Sequence, residues 1–168
     1  MNKFKALNSV KRIIGSLLFC CLTFPVFANE KTLAELDAAW AEMERAVMSG
    51  DFIAYQAAYH EDAVLVSGFS NTSYPIATAM KRWKQGFEDT KAGKVTVSLE
   101  FKLSKRFHDE TTAHESGMFR YATIDSNGKE DVFIAHLDAL FVKKSGKWLM
   151  MMEFQKSKAS ADEWAALK

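Results

Sequence analysis

The sequence predicts an α+β domain in which helices come first and a run of antiparallel strands follows. Three observations predict it. Apolar residues recur at helical spacing between Leu33 and Phe87, the spacing changes to strict alternation from Val95 onward, and the later half carries the hairpin dipeptides Asn127-Gly128 and Ser145-Gly146 between its apolar runs.

A segment of a different kind precedes the helices. Lys3, Lys5, Lys11 and Arg12 form a basic start, the residues from Ile13 to Phe27 are mostly apolar, and Val26-Phe27-Ala28 supplies the small residues that signal peptidase accepts. The expectation is an export signal over 1–28, cleaved after Ala28, and a domain over 29–168 that is periplasmic or secreted. A membrane anchor fits less well, because the apolar run falls short of the roughly 20 residues a span requires and Gly15, Ser16, Thr23 and Pro25 interrupt it. No membrane partner is expected after cleavage.

Cleavage also removes both cysteines, Cys20 and Cys21, so the mature chain has no disulfide, no thiolate metal ligand and no cysteine nucleophile. It leaves 18 Lys and Arg against 21 Asp and Glu, a formal charge of −3, with no concentrated basic face for nucleic acid. Pro75 is the sole mature proline, and neither a linker nor a repeat divides residues 29–168, which read as one unit.

The elements follow in order. Thr32 and Glu35 form a capping box, and Leu33, Leu36, Trp40, Met43 and Val47 then make one apolar face until Ser49-Gly50. Asp51 caps a second, shorter helix through Tyr55 and Tyr59, after which Ala63-Val64-Leu65-Val66 reads as a short strand. Ser73 and Pro75 open a third helix with its stripe at Ile76, Met80, Trp83 and Phe87, closed by Gly93. Val95, Val97, Leu99, Phe101 and Leu103 alternate with polar residues as a half-solvated strand, and further strands cover roughly 112–124, 131–142 and 148–157. Short turns join these into a meander. Ser160 and Glu163 cap a last helical turn bearing Trp164 and Leu167.

This order, with Trp40, Gly50-Asp51, Tyr55, Tyr59-His60-Glu61-Asp62-Ala63-Val64-Leu65, Gly117-Met118-Phe119-Arg120, Asn127-Gly128-Lys129 and Ser145-Gly146-Lys147-Trp148-Leu149, resembles the NTF2-like superfamily, and within it the SnoaL-like, DUF4440-type relatives of ketosteroid isomerase. The resemblance implies an NTF2-like cone, N-terminal helices packed in a strongly curved antiparallel sheet, with a cavity inside. It is specific for fold and poor for function, since the superfamily holds isomerases, dehydratases, cyclases, hydrolases and members without known activity. Residue by residue, the isomerase general base corresponds to Ser67, the second acid to Asp138 and the oxyanion tyrosine to Met43. One of the three groups is thus kept, which argues against ketosteroid isomerisation.

The candidate catalytic pair is His136 and Asp138, two apart on an otherwise apolar strand and therefore on one face with Ile134 and Leu140. The resemblance turns that face into the cone, where a buried acid and an imidazole would exchange protons. Alternatively, the pair only satisfies itself in the interior. Tyr55, Tyr59, Ser67, Trp83 and Arg120 are the candidate ligand contacts, although Arg120 can equally pair with Glu100 across the sheet. Glu153 and Gln155 enter the cavity only if the register of the last strand places them there. His60, Glu61 and Asp62 read as a solvated helix end, Met150 and Met152 share a face as core filler, and no metal or cofactor is expected.

The expected function is binding of a small apolar or aromatic molecule, with cofactor-free acid-base chemistry of isomerase or lyase type as its furthest extension. The alternative is a non-catalytic, homodimeric structural or accessory module that uses the Phe133/Phe141 face of its sheet. The two can coexist in a homodimer with one cavity per subunit.

Overall fold

The computed structural model describes residues 24–167, with side chains from residue 29. The expected export signal lies outside the described residues as far as position 23. The elements run α1 (Phe24–Ser49), α2 (Phe52–Ala57), β1 (Tyr59–Ser67), β2 (Thr72–Pro75), α3 (Ile76–Lys91), β3 (Val95–His108), β4 (Thr112–Asp125), β5 (Glu130–Lys144), β6 (Lys147–Lys158) and α4 (Ala161–Ala166).

The helical half follows its local chemistry with two differences. Thr32 and Glu35 lie inside α1 instead of capping it. Glu35 is drawn elsewhere: it accepts hydrogen bonds from Lys143 of β5 and from Trp148 Nε1 of β6 at 3.1 Å, which pins α1 across the sheet. Gly50 ends α1 at φ +68°, and a Cβ there would stand 2.5 Å from Phe87 O and from Lys91 N, so this turn needs glycine both for its backbone and for the close approach of α3. Asp51 then caps α2 as expected, its carboxylate accepting from Ala54 N at 3.0 Å. Tyr59 belongs to β1 and not to α2. Ser73 and Pro75 fall in the short strand β2, which the sequence did not announce, and Pro75 is the N-cap of α3.

The sheet has the order β2-β1-β6-β5-β4-β3. The meander β3 to β6 is antiparallel throughout, and Ser145 and Gly146, at φ 51° and 79°, make the tight β5–β6 turn. β1, however, runs parallel to β6, so the sheet is mixed and not purely antiparallel. Hairpin dipeptides report only on strands they join, and no turn joins β1 to β6.

One contiguous core lies between the helices and the concave face of the sheet, built on Leu36, Trp40, Met43, Leu137, Phe141 and Met150 among others. On β5 the inward side chains are Ala135, Leu137, Ala139 and Phe141, all essentially without solvent exposure. A small second cluster, Met118, Ile134 and Ala159 beneath Trp164 and Leu167, lies where α4 packs on the convex face. Ser160 and Glu163 form the expected capping box of that helix.

Candidate functional site

The helices do not fill the cone. A cavity of about 400 Å³ remains between α1, α2 and α3 and the concave face, and nine of its twenty lining residues are aromatic. α1 supplies Trp40, Met43 and Val47, α3 supplies Trp83 and Phe87, and the strands supply Phe101, Phe119, Tyr121, Phe133 and Leu137. Arg82 and Gly86 of α3 line it while remaining solvent-exposed and so mark its opening.

The polar end of this space is built by β6. Met150 pairs with Phe141 and Met152 with Leu140, so Met151 is an extra residue, a β-bulge between the two pairs. Its effect is a change of phase. Trp148 and Met150 point inward before the bulge, and Glu153 and Gln155 point inward after it. Met152 turns to the convex face, so the two methionines expected on one face are separated.

Glu153 is 7% exposed. Tyr59 Oη donates to its Oε2 at 2.5 Å, Gln155 Nε2 donates to its Oε1 at 2.7 Å, and Tyr55 Oη lies 2.9 Å from Tyr59 Oη. Burial raises the Glu153 carboxyl above the ordinary range, and the bonds from Tyr59 and Gln155 offset this only in part. Burial and the adjacent Glu153 raise both phenols as well, so Tyr55 and Tyr59 stay protonated and serve as donors. Tyr121, which also lines the cavity, has its phenol raised by burial. The arrangement can hold or move one proton at Glu153 in a largely apolar space.

The expected pair lies elsewhere. His136 and Asp138 sit on the opposite face of β5 from Phe133 and Leu137, away from the cavity. His136 Nε2 is 3.3 Å from Glu163 Oε1 of α4, and Lys156 Nζ is 3.0 Å from Asp138 Oδ2. Burial pushes the Asp138 carboxyl up, but Ser116 and Lys156 outweigh it and leave it below the ordinary range, which is a stabilised carboxylate and not a poised acid. The physical reason is the simple rule for a half-covered sheet: the purely apolar side of a strand faces the core, and the side carrying charge faces water.

Of the expected ligand contacts, Tyr55, Tyr59 and Trp83 line the cavity, and Ser67 and Arg120 do not. Ser67 Oγ accepts from Ser70 N at 3.3 Å in the β1–β2 turn. Arg120 pairs with Glu100 and Glu130 on the convex side. The residue that sequence reasoning left open is the acid: Glu153 stands in the apolar run Trp148-Leu149-Met150-Met151-Met152-Glu153-Phe154, and a lone carboxylate in such a run was the available signal.

Two other clusters are structural. Glu115 is fully buried, accepts from Trp40 Nε1 at 2.5 Å and pairs with Arg106, which also binds Asp37 at 2.6 Å. This fixes the Trp40 ring in the cavity wall. His60, Glu61 and Asp62 belong to β1 instead of a helix end, and Lys144 Nζ reaches Glu61 at 2.9 Å and His60 Nε2 at 3.3 Å, so a lysine already sits where a cation would.

No family model and no curated protein matches the sequence. Solved structures do. A ketosteroid isomerase-like protein from Erwinia carotovora atroseptica is 18% identical, with a TM-score of 0.59 over 77% of this chain and 98% of that one. An NTF-2 like protein of unknown function from Shewanella oneidensis is 17% identical, with a TM-score of 0.58 over 73% and 97%. A conserved protein from Planctomyces limnophilus is 10% identical, with a TM-score of 0.64 over 74% and 94%. At these identities the likeness speaks for architecture alone, and it agrees with the curved, unclosed sheet wrapped over three helices: this chain has the NTF2-like fold.

Proposed function

We propose that this protein binds a small ring-bearing molecule in its cavity, with Glu153 as the group that holds or transfers a proton in cofactor-free acid-base chemistry. The observation that carries the reading is the single buried carboxylate in an aromatic-lined space of about 400 Å³. A largely apolar cavity with a few convergent polar groups is the usual form of a small-molecule site. Glu153 takes the part that the isomerase resemblance gave to Ser67 and Asp138. We also propose that residues 1–28 direct export and are removed.

A thermal-shift screen of the purified protein against steroids, polyketides and aromatic acids tests this reading. A binding compound raises the melting temperature by mass action, by an amount set by its concentration relative to Kd. The shift should shrink in Trp83→Ala and Glu153→Gln and persist in His136→Ala and Asp138→Asn. Absence of a shift with every compound class, or loss of the shift in the His136 and Asp138 variants instead, overturns it.

A second reading concerns assembly. The Phe133/Phe141 side is not available for it, because Phe141 is completely buried in the core. The convex face does offer half-buried apolar side chains, Val64 and Val66 of β1, Leu140 and Val142 of β5 and Phe154 of β6. We propose this face as the homodimer contact. Sedimentation of wild type beside Phe154→Glu should show a dimer converted to a monomer, and a monomeric wild type removes the proposal.

A further inference from the structure

Among the described residues the fold buries two carboxylates, Glu115 and Glu153, and treats them differently. Glu115 has its own cation, Arg106. Glu153 has none: among the described residues its partners are the hydroxyl of Tyr59 and the amide of Gln155, both neutral. Among the described residues the one cationic side chain lining the cavity, Arg82, is exposed at the opening and stacks 4.8 Å above the Tyr74 ring. Its charge is spent there and screened by water.

The walls around Glu153 share its preference. Aromatic faces carry negative potential and attract cations, more strongly where water is excluded. Tyr55 stands edge-on to Trp83 and to Tyr59 at centroid distances of 6.2 and 5.4 Å, so several rings crowd the same end of the cavity as the acid. A buried carboxylate without a protein cation, enclosed by rings, lacks one thing.

We propose that the ligand supplies it: an organic ammonium ion whose charged nitrogen sits among the rings against Glu153 and whose apolar remainder fills the cavity toward α3. This rests on the cavity being a ligand site. Neutral ring compounds would then bind more weakly than cations of the same shape.

Two isosteric compounds separate the possibilities: 3-hydroxyphenyltrimethylammonium and 3-tert-butylphenol, which differ by a charged nitrogen in place of a quaternary carbon. Titration calorimetry at pH 7 with wild type and Glu153→Gln is the experiment. The expected result is at least tenfold tighter binding of the cation by wild type and loss of that preference in Glu153→Gln, with the melting profile of the variant confirming that it is folded. Equal or tighter binding of the neutral compound overturns the proposal and leaves the cavity as a site for neutral rings. A cation preference that survives in Glu153→Gln overturns the role of the acid. Binding of neither compound overturns the proposal, and the neutral screen described above decides separately whether the cavity reading falls with it.

Discussion

Glu153 sets the pH behaviour of the folded state. Because burial lifts its carboxyl above the ordinary value of 4.5, the folded chain holds this proton more tightly than the unfolded chain does. Stability from this group is therefore complete below the unfolded value and falls as pH rises through the folded one. Glu153→Gln removes the loss. The variant should melt above wild type at pH 8 and converge with it near pH 4, and a variant that melts lower at every pH would mean that the charge is compensated. Phe141 illustrates the opposite kind of residue, an apolar side chain with no exposure, touching Trp40 edge-on at 5.1 Å. Phe141→Ala should cost about 3–5 kcal/mol in urea unfolding, the range for buried aromatic truncations. Neither value was readable from residue type alone, since Phe133, eight positions earlier on the same face of β5, is only half-buried.

At the scale of elements, two local devices carry most of the shape. On β4, Gly117 lies opposite Leu103 beside an irregularity in β3, and a Cβ there would stand 2.0 Å from Lys102 O. Gly117→Ala should therefore destabilise by about 1–3 kcal/mol through forced separation of the strands, visible as a lower urea midpoint. On α4, the Ser160 hydroxyl accepts from Glu163 N at 3.1 Å and Glu163 reaches back to Ser160 N at 2.7 Å. Ser160→Ala should loosen α4 by about 0.5–2 kcal/mol, the usual worth of a cap, and be seen as faster amide exchange in residues 161–166. The capping motif was legible because it is a contact between near neighbours. The same motif at Thr32 and Glu35 misled, because Lys143 and Trp148 from distant strands claim the glutamate.

For the whole molecule, a single contiguous core predicts one cooperative unfolding transition, with far-ultraviolet circular dichroism and tryptophan fluorescence tracing the same curve. Separate curves would show that the helices and the sheet are held apart. α4 rests on its own small cluster and should exchange its amides first. The sequence by itself determined the helices-then-meander order, most strand positions and the Ser145-Gly146 turn. These rest on periodicity, turn chemistry and capping, which act over a few residues. Tertiary structure alone decided the parallel pairing of β1 with β6, the inward face of β5 and the phase of β6 beyond Met151. Side chains alternate with period two, so one bulged residue or one wrong choice of face exchanges every inward group for an outward one. The bulge puts Glu153 in the cavity, and the choice of face on β5 leaves His136 and Asp138 outside it.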